Sequence, residues 1–197
     1  MEKSVKIKRM TGIAIFAGLV IALQLFSNYV SFGPVSITLA LIPIVVGAII
    51  YGPFAGFILG CVCGFIVFVG PVTIQLFWPY GILITLLVCV FKTGIAGAVS
   101  GLIYKYLNKQ NNKVAVILAS IIVPIVNTGL FAIAAYVLYY DLLTNLMGDT
   151  SKNVVAYLLF TFIGYNFIIE FLVNSVLSPT ILRLTKVARE NFSLGEK

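Results

Sequence analysis

The sequence predicts an all-α integral membrane protein, a bundle of six transmembrane helices, and three observations support this prediction. The stretch from Met10 to Phe91 contains no Asp, Glu, Lys or Arg. Hydrophobic residues make up 61% of the chain and charged residues only 10%, which is far from the balance of soluble domains. Gly-Pro pairs divide the apolar sequence into pieces near the roughly 20 residues that a spanning helix needs. We therefore expect one transmembrane domain over residues 1–197.

The predicted helices follow one another with short connections. Hydropathy and punctuation place them at residues 11–29, 37–50, 54–70, 81–104, 114–140 and 154–184. The Gly-Pro pairs at 33–34 and 52–53 each end one helix and permit a turn before the next, so the second and third helices should form a tight hairpin. The apolar connection at 70–81 is expected to fold back over the helix ends, either as a lid or as a packed loop with an interfacial Trp-Tyr belt.

Basic residues gather on one predicted face of the bundle. They precede the first helix, lie between the fourth and fifth, and follow the sixth: Lys3, Lys6, Lys8, Arg9, Lys105, Lys109, Lys113, Arg183, Lys186, Arg189 and Lys197. Short cytoplasmic connections are enriched in Lys and Arg, so both termini of this multi-pass protein are predicted to lie on the cytoplasmic side of the cell membrane. The net charge of +7 is therefore a topology signal, and no nucleic-acid partner is expected.

The sequence lacks the groups that an intramembrane enzyme needs. It has no His and only six acidic residues, of which Glu170 alone falls well inside a predicted span. Hydrolysis would require paired carboxylates, a His cluster, or a nucleophile with a base. Cys61, Cys63 and Cys89 have no His or nearby acid that would complete a metal shell. We expect no enzymatic activity, no cofactor and no metal site.

Lys92 and Glu170 are the two formal charges inside predicted helices, where a charge is costly unless it is paired, hydrated or close to an interface. Three alternatives are open from the sequence. The two residues pair with each other, or Lys92 meets an anionic substrate, or each reaches the cytoplasmic interface. Glu170 alone is also the residue on which a stand-alone proton-coupled carrier would depend.

The first predicted helix carries small residues at intervals of four, Ala14, Gly18 and Ala22. Such a stripe lets a second helix approach closely. The second helix either belongs to a partner protein or comes from the same bundle, and the sequence leaves both open.

Taken together, these features resemble the S component, the substrate-binding subunit, of an energy-coupling factor vitamin transporter. The resemblance covers nearly the whole chain, and Gly18 replaces an alanine in that family's Ala-xxx-Ala docking stripe. The other matching segments are 37–43 (ITLALIP), 51–56 (YGPFAG), 92–97 (KTGIAG) and 101–105 (GLIYK). The resemblance implies a subunit that binds a vitamin and docks, through Ala14, Gly18 and Ala22, on a transmembrane coupling (T) component driven by two cytosolic ATPases.

The resemblance also implies where the substrate binds. Family sites lie toward the outer ends of the helices, which here would recruit Phe32, Gln75, Trp78, Tyr80, Asn127, Phe131, Tyr165 and Asn166, with Lys92 as the group for a carboxylate. The pattern is nearest to the pantothenate branch, while riboflavin, niacin and pyridoxine stay open. The apparent lack of an acidic residue near this site argues against a cation such as thiamine. A membrane scaffold without any small ligand is the remaining alternative.

Overall fold

The computed structural model describes residues 2–28, 38–148 and 153–192, and every regular element in these ranges is helical. Phe32, one of the predicted site residues, lies outside the described residues. The helices are α1 (Glu2–Ser27), α2 (Leu41–Tyr51), α3 (Pro53–Phe68), α4 (Pro71–Leu76), α5 (Ile82–Leu107), α6 (Asn112–Leu138), α7 (Tyr140–Met147), α8 (Val154–Ala156) and α9 (Gly164–Phe192). A 3-10 turn (Trp78–Tyr80) follows α4, and a π-helical segment (Tyr157–Phe162) lies between α8 and α9.

Helix α2 lies at the centre of the bundle. It packs against α1, α3, α5, α6 and α9, and most of its residues are buried. A helix that is apolar on all sides, as this one is, is stable only where other elements surround it. At Gly52, φ is 93°, a conformation that favours glycine. Pro53 then begins α3, so the predicted hairpin is confirmed.

Four of the described helices are long and apolar enough to cross a membrane. They are Lys6–Ser27, Ile82–Leu107, Asn112–Leu138 and Gly164–Lys186. The second and third predicted spans correspond to the shorter apolar helices Leu41–Tyr51 and Pro53–Phe68. At about 1.5 Å per residue these two helices fall short of the roughly 30 Å hydrocarbon core. Six full crossings therefore stay a prediction.

The most extensive helix contact among the described residues joins α3 to α5. A Cβ atom built at Gly56, Gly60 or Gly64 would overlap a backbone carbonyl oxygen of α5. These glycines recur every four residues and therefore share one face of α3. With no side chain between the two backbones, α3 fixes the position of the middle of α5, the helix that carries Lys92.

The connections differ from the predicted loops. Residues 70–81 form α4 and the 3-10 turn, while α7 adds a helix that was not predicted. The last predicted helix is interrupted by the π-helical segment, and α9 then continues to Phe192. A Cβ atom at Gly164 would approach the Leu159 carbonyl oxygen at 2.6 Å, so this break in the helix requires glycine.

Candidate functional site

A cavity lies at the end of the bundle where α1 and α3 finish and α5 and α9 begin. Its volume is about 40 Å³. Its walls mix apolar, hydroxyl, amide and charged side chains: Thr38, Val67, Val72, Thr73, Phe77, Thr85, Val88, Cys89, Lys92, Asn127, Thr128, Phe131, Tyr139, Ile163, Asn166 and Glu170. Such a mixture of apolar walls and a few converging polar groups is typical of small-molecule sites.

An aromatic cluster forms one wall of this cavity. The Phe77 ring meets Phe131 edge to face at 5.7 Å and Tyr139 at 5.1 Å between centroids. The hydroxyl of Thr85 lies 2.8 Å from the carbonyl oxygen of Gly81 and 2.8 Å from the Tyr139 hydroxyl. These contacts anchor the segment between α4 and α5 to the end of α6. We call α4 and the 3-10 turn the cover of the cavity, and these contacts give the cover a defined position.

Lys92 supplies a positive charge from the middle of α5. Its side chain is only 8% exposed, and Nζ lies 4.5 Å from the centroid of the Phe131 ring. An ammonium above an aromatic face is stabilised by the ring quadrupole, although this interaction is weaker than an ion pair in a desolvated site. The Lys92 ammonium is therefore suited to bind an anionic group that enters the cavity.

Glu170 supplies a carboxyl group from α9 and is 4% exposed. Its Oε1 accepts a hydrogen bond of 2.7 Å from the backbone N–H of Thr38, which ties the chain entering α2 to the cavity wall. Within the described residues no ion pair of 4.0 Å or less joins Lys92 to Glu170. The first alternative for these two charges, a structural link between helices, is therefore not observed.

The small residues of α1 face away from the bundle. Ala14, Gly18 and Ala22 are exposed, and a Cβ atom built at Gly18 meets no described atom within 4 Å. On the opposite side of the helix, Val20 and Gln24 are fully buried. The stripe therefore does not serve packing among the described helices and is open to another molecule.

The sequence model of one family, described as ECF transporter, substrate-specific component, matches residues 8–182. The chain belongs to this family. Comparison with curated proteins finds no match. The matched region contains both the α1 stripe and all of the residues that line the cavity. The protein is thus a substrate-specific component of a membrane transporter, from a family of transport proteins and not of enzymes.

In this substrate-specific component, the fold brings four of the predicted site residues together at the cavity. Lys92, Asn127, Phe131 and Asn166 line the cavity. Asn127 is 3% exposed, and its Oδ1 has no hydrogen-bond partner among the described residues. Its Oδ1 is thus a buried acceptor in the cavity wall that no described residue satisfies.

The other predicted site residues that the structure describes lie outside this lining. Gln75 is exposed on α4, and Tyr165 is 66% exposed on α9. The Trp78 ring stacks on Phe68 with centroids 5.2 Å apart, and its Nε1 donates to the Phe68 carbonyl. The Tyr80 hydroxyl accepts a hydrogen bond of 3.2 Å from the Asn145 side chain. These contacts hold the cover in place.

Several cavity residues were not predicted as site residues: Thr38, Thr73, Phe77, Thr85, Tyr139 and Glu170. Only Glu170 had a sequence signal, because it is an acidic residue inside a predicted span. Its position corrects one argument made from the sequence. The case against a cationic substrate assumed that no acid lies near the site, and this assumption is wrong.

Proposed function

We propose that this substrate-specific component binds a small water-soluble vitamin, with pantothenate as the first candidate. The observation that carries the proposal is the buried ammonium of Lys92 in the same cavity as the Asn127 and Asn166 amides. Pantothenate offers a carboxylate for the ammonium, since charge-assisted hydrogen bonds are the stronger ones. It also offers amide and hydroxyl groups for the polar walls, and methyl groups for the Phe131 ring.

The proposal includes an orientation. In a bundle of six crossings with both termini in the cytoplasm, the basic residues near the start of α1 lie on the cytoplasmic side of the membrane. The cavity lies at the opposite end of α1 and would therefore face the outside of the cell. In this orientation the bound vitamin is captured from the medium. The stripe of α1, which faces away from the helix bundle, docks on a T component driven by two ATPases.

The size of the cavity indicates how binding proceeds. Sites for drug-sized ligands usually enclose about 300–1,000 Å³, while this cavity has a volume of about 40 Å³. We expect α4 and the 3-10 turn to move outward when the vitamin enters. Trp78 lies in this cover beside Phe77, and its fluorescence should report the movement.

Calorimetric titration of the full chain in lipid nanodiscs tests the proposed substrate. The panel contains pantothenate, riboflavin, nicotinate, pyridoxine and thiamine, the last because Glu170 lines the cavity. We expect saturable, high-affinity binding of pantothenate. Lys92→Met should weaken this binding about 10–100-fold, the loss expected for a hydrogen bond to a charged group.

The matched control for this substitution is Lys105→Met, which removes an exposed lysine from the other end of the same helix. It should leave the affinity unchanged. Equal weakening by both substitutions would indicate a general effect of charge and would argue against Lys92 as a contact of the carboxylate. A panel without any response would remove the support for a vitamin-binding subunit.

A second experiment tests the docking surface. Gly18→Trp should reduce vitamin uptake by the assembled transporter at least about tenfold while the isolated chain still binds the vitamin, because a bulky side chain blocks close helix approach. Val176→Trp on α9, at a site that is 72% exposed, is the matched control and should retain uptake. Loss of ligand binding in Gly18→Trp would show that the stripe supports the fold instead.

A further inference from the structure

One basic and one acidic side chain, Lys92 and Glu170, line the same cavity without contacting each other. Lys92 is 8% exposed and Glu170 is 4% exposed, and no ion pair within 4.0 Å joins them in the described part of the chain. Burial of an ionised group inside a membrane protein is costly unless another group compensates it. Because both side chains line one cavity, a ligand with an anionic group at one end and hydrogen-bond donors at the other would bind both at once.

The groups around Glu170 show what that end of the cavity needs. Its Oε1 accepts from the Thr38 backbone N–H, and Asn127 lines the same cavity. The Oδ1 of Asn127 is itself a buried acceptor without a partner among the described residues. A buried acceptor without a donor costs free energy. A ligand with an N–H or O–H donor at this end of the cavity would therefore satisfy the Asn127 oxygen.

At the other end of the cavity, the Lys92 ammonium requires an anionic group instead of a donor. The Phe131 ring covers one side of the ammonium, and a ring face carries no full negative charge. A carboxylate would complete the surroundings of the ammonium.

We infer that the cavity selects an anion that also carries hydrogen-bond donors at its far end, and that Glu170 and Asn127 determine this second part of the specificity. The inference rests on the proposed function and narrows its substrate class. Nicotinate has an anionic group without a donor, whereas riboflavin, pyridoxine and thiamine have donors without the carboxylate that would bind Lys92. Pantothenate has a carboxylate at one end and hydroxyl groups at the other.

The first test varies the ligand and leaves the protein unaltered. Wild-type chain in lipid nanodiscs is titrated with pantothenate, with pantothenol, in which an alcohol replaces the carboxylate, and with pantothenate whose hydroxyl groups are O-methylated. We expect each altered ligand to bind at least tenfold more weakly. Undiminished binding of the O-methylated ligand, or equally tight binding of nicotinate, would overturn the inference while the proposed vitamin-binding function stands.

The second test assigns the two ends to residues. Glu170→Gln should weaken pantothenate binding at least tenfold and should have little effect on the O-methylated ligand, whereas Lys92→Met should spare pantothenol. A merely structural role for Glu170 would weaken both ligands equally, and that result would overturn the assignment. If Glu170→Gln does not fold, Asn127→Leu replaces it with the same expected pattern. A wild-type chain that binds no vitamin contradicts the proposed function itself, and the inference with it.

Discussion

The contact between α3 and α5 gives a prediction whose size follows from the structure. Gly60→Ala adds one methyl group where the two backbones touch. The new Cβ would overlap the Thr93 carbonyl oxygen and would lie 2.6 Å from its carbonyl carbon and 2.8 Å from Gly94 Cα. Ordinary van der Waals contacts of a Cβ begin at 3.4 Å. The three nearest atoms all belong to the backbone of α5, so the helices must move apart by about 1 Å.

The expected cost combines two effects. Overpacking of a tight interface costs about 1–3 kcal/mol, while replacing glycine by alanine inside a helix recovers up to about 1 kcal/mol. We expect Gly60→Ala to be less stable by about 1–2 kcal/mol. Because α5 carries Lys92, the displacement should also weaken vitamin binding.

Reversible unfolding of the purified chain in detergent, followed by circular dichroism, measures this difference. Gly129→Ala is the matched control, because a Cβ at this exposed position of α6 meets no described atom within 4 Å. The control should be as stable as the wild type or slightly more stable. A Gly60→Ala chain that is at least as stable as Gly129→Ala would refute the proposed backbone contact.

Two further predictions concern polar contacts of α1. Arg9 donates from Nη2 to the Tyr51 carbonyl at 2.6 Å, so Arg9→Met should destabilise the end of α2 by about 0.3–1 kcal/mol; thermal unfolding checks this, and an equal loss in Arg9→Lys would show that geometry matters more than charge. Gln24 is fully buried, donates to Asn28 Oδ1 at 3.1 Å and accepts from Cys63 Sγ at 3.5 Å. Gln24→Leu should therefore cost about 1–2 kcal/mol through unpaired partners, and an unchanged unfolding temperature would contradict it.

The helical segments were accessible from the sequence because their signals are local. The Gly-Pro pair at 52–53 predicts the end of α2 and the start of α3, and the structure confirms both. The π-helical segment before Gly164 had no such signal, because nothing in the local composition distinguishes it from a regular helix. The outward direction of the α1 stripe was equally undetermined, since a small-residue stripe permits close packing on either side of a helix.

The candidate site was accessible only in part. Lys92 and Asn127 stand out in an apolar sequence because a charge or an amide in such surroundings needs a partner. Trp78 and Tyr165 also carry polar groups in an apolar sequence. The Trp78 ring nevertheless stacks on Phe68, and Tyr165 is exposed. Polar character marks a residue as unusual, but it does not give the direction in which the side chain points.

Local sequence signals were enough to predict a helical membrane protein, its long apolar helices, and the family to which it belongs. Hydropathy, helix-ending Gly-Pro pairs and motif segments are properties of neighbouring residues, and they can be recognised without the fold. Only the tertiary structure placed Glu170 in one cavity with Lys92, residues from two helices that are distant in the chain. That placement depends on the rotation of each helix about its axis, which is set by contacts such as the glycine face of α3 against α5 and not by the sequence of either helix alone.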